Sequence, residues 1–224
     1  MPIEIVNALF LLIIFIFLSF LLGSFWSQIL TGRKYRLFLA PGIIVHEISH
    51  ALICFLTGAK IKEINFFSSK GGYVTHGPSQ IPIFGQLAIG FAPFLGGISV
   101  LLISAWLFGF SFVPEIGSFG DFLRQAFYFI SQSWPDWQLF LFIYLATSIV
   151  ICLIPSWEDL KNSFSGVFIL IILGLALYYF GWLPKFLEMI FNQYLWSVLS
   201  LGIFFEILAL IFTLPIYLVK RILF

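Results

Sequence analysis

Long apolar stretches alternate with short polar segments along most of the chain. A membrane-spanning helix needs about 20 mostly apolar residues, and such stretches fall near residues 5–30, 38–57, 84–109, 138–154, 165–183 and 196–218. The pattern predicts an all-α polytopic membrane protein with about six transmembrane helices. Since no repeat or low-complexity linker divides the sequence, we expect residues 1–224 to form one integral-membrane domain with a core at about residues 38–183.

The polar segments between these stretches differ in character. Residues 60–82 alternate polar and apolar side chains around Gly71-Gly72, which predicts a small membrane-associated β-hairpin with a glycine turn. The segment Gly32–Arg36 is predicted to be a short basic loop. Residues Phe119–Ser131 are predicted to form an amphipathic helix at the membrane interface.

Composition supports lipid as the solvent of this protein. The chain is 61% hydrophobic and 9% charged, whereas soluble domains average about a quarter charged residues. Its formal net charge is +1, without a basic stripe, so the sequence argues against a nucleic-acid partner. We therefore expect a multi-pass protein in contact with the lipid bilayer, with the cell membrane as its location.

The candidate chemistry lies in the second apolar stretch. Within Ala40–Gly58, Glu47 is the only charged residue, and it lies between His46 and His50. On a helix, positions i and i+4 share a face, so both imidazoles can reach one metal ion. Ionisable groups within a span are costly and usually functional. Two core histidines paired across helices are the plainer alternative.

A catalytic zinc site of this kind needs a third protein ligand and an open position for water. The pattern favours Asp159, because Pro155 frees the backbone at the end of the preceding apolar stretch and an acidic segment follows directly. Asp159 is alternatively an N-terminal cap of the next helix, and the two roles are compatible. The remaining candidates are His76, Glu63, Glu115, Asp121, Asp136, Glu158, Glu188 and Glu206.

Three segments together resemble the site-2 protease family of intramembrane zinc metalloproteases. They are His46-Glu47-Ile48-Ser49-His50-Ala51 in an apolar helix, Gly71-Gly72-Tyr73-Val74, and a later proline-then-aspartate turn. The resemblance covers residues 40 to about 162 in order, and the first segment is its most specific part. It implies a membrane-inserted β-hairpin after the motif helix.

The resemblance also implies the roles of individual residues. His46, His50 and Asp159 correspond to the family's zinc ligands, for one Zn²⁺ per chain, and Glu47 corresponds to its general base. The family's second motif departs from this sequence, because Leu160 follows the aspartate and no asparagine precedes the proline at the expected distance. Asn162 is a candidate for the substrate-positioning role of that asparagine.

The activity expected from these residues is hydrolysis of peptide bonds in membrane-embedded protein substrates. A transmembrane substrate must unwind before attack, and an exposed strand at Gly71, Gly72, Tyr73 and Val74 would hold the unwound segment by strand addition. His76 either contacts substrate or is a plain surface histidine. The sequence does not identify a regulatory membrane partner.

Two other functions compete with this interpretation. A membrane zinc protease of the prenyl-protein type would take a glutamate from a later helix, Glu188 or Glu206, as third ligand. Glu206 also fits a helix–helix hydrogen bond. A non-catalytic metal-binding protein or transporter is the other alternative, but transporters usually show paired repeats, and an intact Glu47 favours catalysis.

Overall fold

The computed structural model describes residues 3–30, 32–68, 71–108, 136–153, 156–183 and 193–223, together with residues 124, 127, 128, 131, 132 and 185. Helices dominate the described part of the chain, and two strands follow the third helix. In chain order the elements are α1 (Ile3–Ile29), α2 (Gly32–Phe38), α3 (Ala40–Leu56), β1 (Ile61–Ser68), β2 (Gly71–His76), α4 (Phe84–Leu107), α5 (Trp137–Ile151), α6 (Trp157–Tyr179) and α7 (Gln193–Leu223).

The helices agree with the predicted membrane protein. Within the described ranges, α1, α4, α6 and α7 are long and apolar enough to cross a bilayer, and α2 with α3 forms a fifth, bent candidate. Helix α5 is apolar but has 15 residues. The prediction of a mostly helical fold with about six spans and a small hairpin is confirmed, since α1, α3, α4, α5, α6 and α7 correspond to the six apolar stretches.

Three local predictions differ from the structure or lie outside it. Residues Gly32–Phe38 form helix α2 rather than a loop, bent by 66° from α3. Helix α6 begins at Trp157 rather than near residue 165, because Ser156 caps a polar first turn that hydropathy alone excluded. The predicted interfacial helix at Phe119–Ser131 falls mostly outside the described residues.

The β-hairpin is antiparallel and has the predicted position. Strand β1 pairs with β2 from Ile61 opposite His76 to Ser68 opposite Gly71. Gly71 and Gly72 therefore lie in strand β2, and the prediction that they form the turn is wrong. Since β2 is paired with β1 along one side, its other side offers backbone groups that no described strand pairs.

Helix α5 holds the motif helix α3 in place. It packs against α1, α3, α4 and α7, so its short apolar length is covered by protein. Gly42 of α3 faces Ser148 of α5, where an added Cβ would collide with the Ser148 carbonyl oxygen. The Gly42 N–H donates to Ser148 Oγ at 2.9 Å. This close approach, typical of small residues between membrane helices, fixes the start of α3.

Polar contacts join the first and last helices. Ser19 Oγ of α1 donates to Glu206 Oε1 of α7, and both side chains are buried. Trp26 Nε1 donates to Thr213 Oγ1 at 2.9 Å. These contacts agree with the interpretation of Glu206 as a helix–helix hydrogen-bond partner.

Candidate metal centre

Three side chains from two helices bring potential ligand atoms together. Nε2 of His46 and Nε2 of His50, both on α3, are 3.2 Å apart. Asp159 at the start of α6 places Oδ2 at 3.5 Å from His46 Nε2 and Oδ1 at 3.2 Å from His50 Nε2. Within the described chain, these residues form a group able to hold one metal ion.

The spacing of these atoms fits a tetrahedral ion. Two ligand atoms that each lie about 2.0–2.1 Å from zinc, separated by a tetrahedral angle, are roughly 3.3–3.4 Å apart. The two imidazole Nε2 atoms are 3.2 Å apart, and each lies 3.2–3.5 Å from a different oxygen of the Asp159 carboxylate. Two imidazoles and one carboxylate also leave a fourth position open, as catalytic zinc sites require. The residues present therefore fit a catalytic metal.

Backbone carbonyls orient both imidazole rings. The carbonyl oxygen of Cys152, after α5, lies 2.6 Å from His46 Nδ1, and that of Ile89, in α4, lies 2.7 Å from His50 Nδ1. Because a carbonyl oxygen can only accept, each Nδ1 carries the proton and donates. Each Nε2 then has a free lone pair facing the group, the arrangement that second-shell partners impose on metal-binding histidines.

Asp159 is oriented by the N-terminus of its own helix. Its Oδ2 accepts from the Ser156 backbone N–H at 2.8 Å and from Ser156 Oγ at 2.6 Å. Ser156 is the N-cap and Asp159 is the third helical residue, completing a capping box. Asp159 therefore does take part in capping α6, as the alternative from the sequence predicted, but Ser156 is the N-cap itself and Asp159 is its capping-box partner. Pro155 lies outside the described residues.

Glu47 lies beside the ligand group and against the hairpin. It is 5% exposed, and an added Cβ on Gly72 would meet Glu47 Oε1 at 2.7 Å and Cγ at 2.8 Å. Strand β2 thus passes directly over the carboxylate, in a place where only glycine fits without displacement. The strand and the candidate base are therefore direct neighbours.

A cavity of about 1040 Å³ opens beside β2. The strand and the residues after it form one side, and the start of α6 with one residue of α4 forms another. Of the predicted substrate-binding residues, Gly72, Tyr73, Val74 and His76 line it, whereas Gly71 is not among its lining residues. The described residues lining the cavity are Gly72, Tyr73, Val74, Thr75, His76, Gly77, Pro78, Gln86, Ser156, Glu158 and Asn162.

The other candidate ligands have different surroundings. Tyr73 Oη donates to Glu63 Oε1 at 2.7 Å, and this hydrogen bond raises the pKa of Tyr73 above its ordinary value. Asp136 accepts from the Gln138 N–H as the N-cap of α5, and His76 Nδ1 donates to the Gly77 carbonyl at 2.8 Å.

The remaining acids differ from one another as well. Glu206 hydrogen-bonds with Ser19, and Glu158 lines the cavity. Glu115, Asp121 and Glu188 lie outside the described residues.

Sequence reasoning missed the residues that orient the ligands. The spacing Ser156-Trp157-Glu158-Asp159 is a capping-box signal that could have identified Ser156. The carbonyls of Cys152 and Ile89 carry no such signal, because every residue has a carbonyl and only the packing of α3 against its neighbours selects these two.

Comparison with known proteins agrees with the motif. Residues 11–112 match the family model described as Peptidase M50B-like. The resemblance to the site-2 protease family is confirmed. The matched M50B-like region contains His46, Glu47, His50 and the hairpin, but ends before Asp159. No curated protein and no solved structure matches the chain. The match supports a membrane metallopeptidase, and with the candidate spans it supports an integral membrane protein.

Proposed function

We propose that the protein is an intramembrane zinc metalloprotease that hydrolyses peptide bonds of membrane-embedded protein substrates, with the cell membrane as its location. The observation that carries the proposal is the grouping of His46 Nε2, His50 Nε2 and the Asp159 carboxylate. Glu47, next to His46 in sequence, lies against strand β2, one edge of which is paired with no described strand. In this proposal the three residues hold one Zn²⁺. The ion, when bound, supplies a Lewis acid that polarises a carbonyl and activates water.

Glu47 is the proton-transfer residue in this proposal. Glu47 follows His46 in sequence and its carboxylate lies against strand β2, so it is adjacent both to a ligand residue and to the strand that binds substrate in this proposal. Glu47 accepts a proton from the attacking water and delivers it to the leaving amine. The 5% exposure of Glu47 keeps bulk water from competing for that proton.

Strand β2 binds the unwound substrate. An extended segment that adds to the edge of β2 gains main-chain hydrogen bonds along Gly72–Val74. It would lie about 4.8 Å from β2, the strand whose Gly72 lies against Glu47. The outer edge of the bound substrate segment then needs hydrogen-bond partners, because unpaired backbone groups are costly away from water. Gln86 and Asn162 line the same cavity, and their side-chain amides hydrogen-bond to no described residue. In this proposal, these two amides supply those partners.

The first test combines metal content with cleavage. The purified protein is compared with Glu47→Gln and Asp159→Ala for zinc per chain, and for cleavage of a panel of single-span reporter proteins. Each reporter carries a tag at both ends and a Gly-Pro helix break at a different depth. We expect one zinc in the wild type and in Glu47→Gln, and loss or strong weakening in Asp159→Ala. Cleavage should disappear in both variants, since each lacks one essential group.

Glu206→Ala is the matched control for the ligand assignment. It removes another intramembrane acid that is bonded to Ser19, away from the ligand group, so zinc should remain. Zinc loss in Glu206→Ala with retention in Asp159→Ala would instead favour a prenyl-protein type of site. Cleavage retained in Glu47→Gln would refute the assigned base. A wild type that binds zinc but cleaves no reporter would favour a non-catalytic metal-binding protein.

A further inference from the structure

The described residues that line the cavity beside β2 include one acidic side chain. Of its described lining residues, Glu158 is the only one with a formal negative charge, and none is a lysine or arginine. His76 on the opposite side is the other titratable group that lines it apart from Tyr73, whose hydroxyl is bonded to Glu63. Among the described lining residues, a substrate segment in this cavity therefore meets one carboxylate, that of Glu158.

Glu158 has no partner among the described residues. It forms no ion pair or hydrogen bond with any of them, and its side chain is exposed to the cavity. Lys161, three residues later on α6, does not line the cavity. Acids in a first helical turn often only complement the helix dipole, but in α6 the capping box of Ser156 and Asp159 already satisfies the helix start.

The position of Glu158 places it close to the reaction. It directly precedes Asp159 of the ligand group, and its helical neighbour at i+4, Asn162, lines the same cavity. Residues at i and i+4 share one helix face, so this face of α6 looks across the cavity to β2. Glu158 and Asp159 are consecutive, so their Cα atoms are about 3.8 Å apart, and an extended substrate advances about 3.3 Å per residue. With the length of the side chains added, we expect the substrate side chains nearest Glu158 to lie within about three residues of the scissile bond.

We propose that Glu158 selects substrates that carry a lysine or arginine within about three residues of the scissile bond. This specificity rests on the proposed protease function. An unpaired carboxylate at the edge of an apolar environment is stabilised by a cation that arrives with the substrate. An acidic side chain at the same substrate position is disfavoured by like-charge repulsion, so the site discriminates by repulsion as well as attraction.

The test uses a charge series of one reporter. In a reporter that the wild type cleaves, Lys, Gln or Glu is placed in turn at each of the three positions on either side of the cleaved bond. We expect kcat/KM for the Lys version to exceed that for the Glu version by about threefold to tenfold at one or more positions. Glu158→Gln should abolish this preference, and Glu158→Lys should invert it. Zinc content should stay unchanged in both variants.

Asp136→Asn is the matched control, because Asp136 is also an exposed acid at the start of a helix but does not line the cavity, and asparagine caps a helix about as well as aspartate. It should keep the wild-type preference. Cross-linking of the Lys and Glu versions to Glu47→Gln provides a second readout that needs no cleavage. If Glu158→Lys fails to fold, Glu158→Gln still decides the result.

The outcomes separate the specificity from the protease function. Equal cleavage of all charge versions by the wild type, or a Lys preference that persists in Glu158→Gln, would show that the specificity is wrong while the protease function stands. A wild type that cleaves no reporter at all would refute the protease function, and the specificity would fall with it.

Discussion

Ser156 holds the carboxylate of Asp159 in place from outside the ligand group. Its N–H and Oγ both donate to Oδ2 of Asp159, and its Oγ accepts from the Asp159 N–H at 3.2 Å. The same residue therefore caps α6 and aims a carboxylate at the two imidazoles. Partners of this kind typically change metal affinity by about tenfold to a hundredfold when removed.

We expect Ser156→Ala to lower zinc affinity by about tenfold, because Asp159 would lose one of the donors that fix its orientation. The variant should also lose about 1 kcal/mol of stability as a helix cap is removed. Zinc affinity is measured by competition with a chelating dye, and stability by thermal unfolding in detergent.

Asp136→Ala is the control that separates the loss of zinc affinity in Ser156→Ala from the loss of stability. Asp136 caps α5 through a bond from the Gln138 N–H, and it is not part of the ligand group. This control should lose similar stability but keep wild-type zinc affinity. Equal zinc affinity in Ser156→Ala and the wild type would mean that Asp159 is positioned without the serine.

At the scale of secondary structure, strand β2 contacts helix α3 at Gly72. Gly72 lies so close to Glu47 and Ile43 that an added Cβ would be 2.7 Å from atoms of both side chains. Such a distance forces displacement of the strand or of its neighbours, one of which is the candidate base. The strand also carries the substrate-binding edge, so one contact links both parts of the proposed mechanism.

We expect Gly72→Ala to reduce kcat/KM at least about tenfold, since a misplacement near 1 Å can cost up to about a hundredfold in rate. Zinc content should remain that of the wild type, because the ligand group does not include this strand. Gly174→Ala is the control, because an added Cβ there meets no atom within 4 Å. Wild-type kinetics in Gly72→Ala would show that the strand can shift without disturbing Glu47.

Elements were predictable from the sequence where one physical signal dominated. Hydropathy identified the apolar helices, and the i, i+4 spacing identified His46 and His50. Hydropathy alone misplaced the start of α6, because the polar first turn of this helix lowers the hydropathy while its capping box favours a helix. The glycine signal for a turn failed at Gly71 and Gly72, which lie in a strand instead. At Gly72 the missing side chain allows the close approach to Glu47.

The assembly of the site depended on packing that no local pattern encodes. The ligand atoms come from α3 and α6, and the carbonyls that orient them come from α4 and the end of α5. Gly42 is needed for the approach of α3 to α5, yet a glycine early in a helix looks locally like a poor helix former. Such positions are recognisable only once the neighbouring helix is known.

At the scale of the whole molecule, many of the described apolar side chains are exposed to the surroundings, whereas the candidate catalytic side chains are buried. Phe55, Trp106 and Tyr179 are more than 75% exposed on helices that are long or apolar enough for a membrane, whereas Glu47 and His50 are each 5% exposed. This inversion of the soluble pattern suits lipid as solvent. Within it, the proposed metal ion would join α3 to α6 through His46, His50 and Asp159.

A metal that joins two helices should stabilise the whole fold, because it binds the native arrangement and not the separated helices. A ligand at one hundred times its dissociation constant stabilises the native state by about 2.7 kcal/mol. We therefore expect added zinc to raise the thermal unfolding temperature of metal-stripped protein, and chelation to reverse the rise. His50→Ala should show no zinc response, whereas His76→Ala should respond like the wild type, because His76 is outside the ligand group. An equal response in all three proteins would place the stabilising zinc elsewhere.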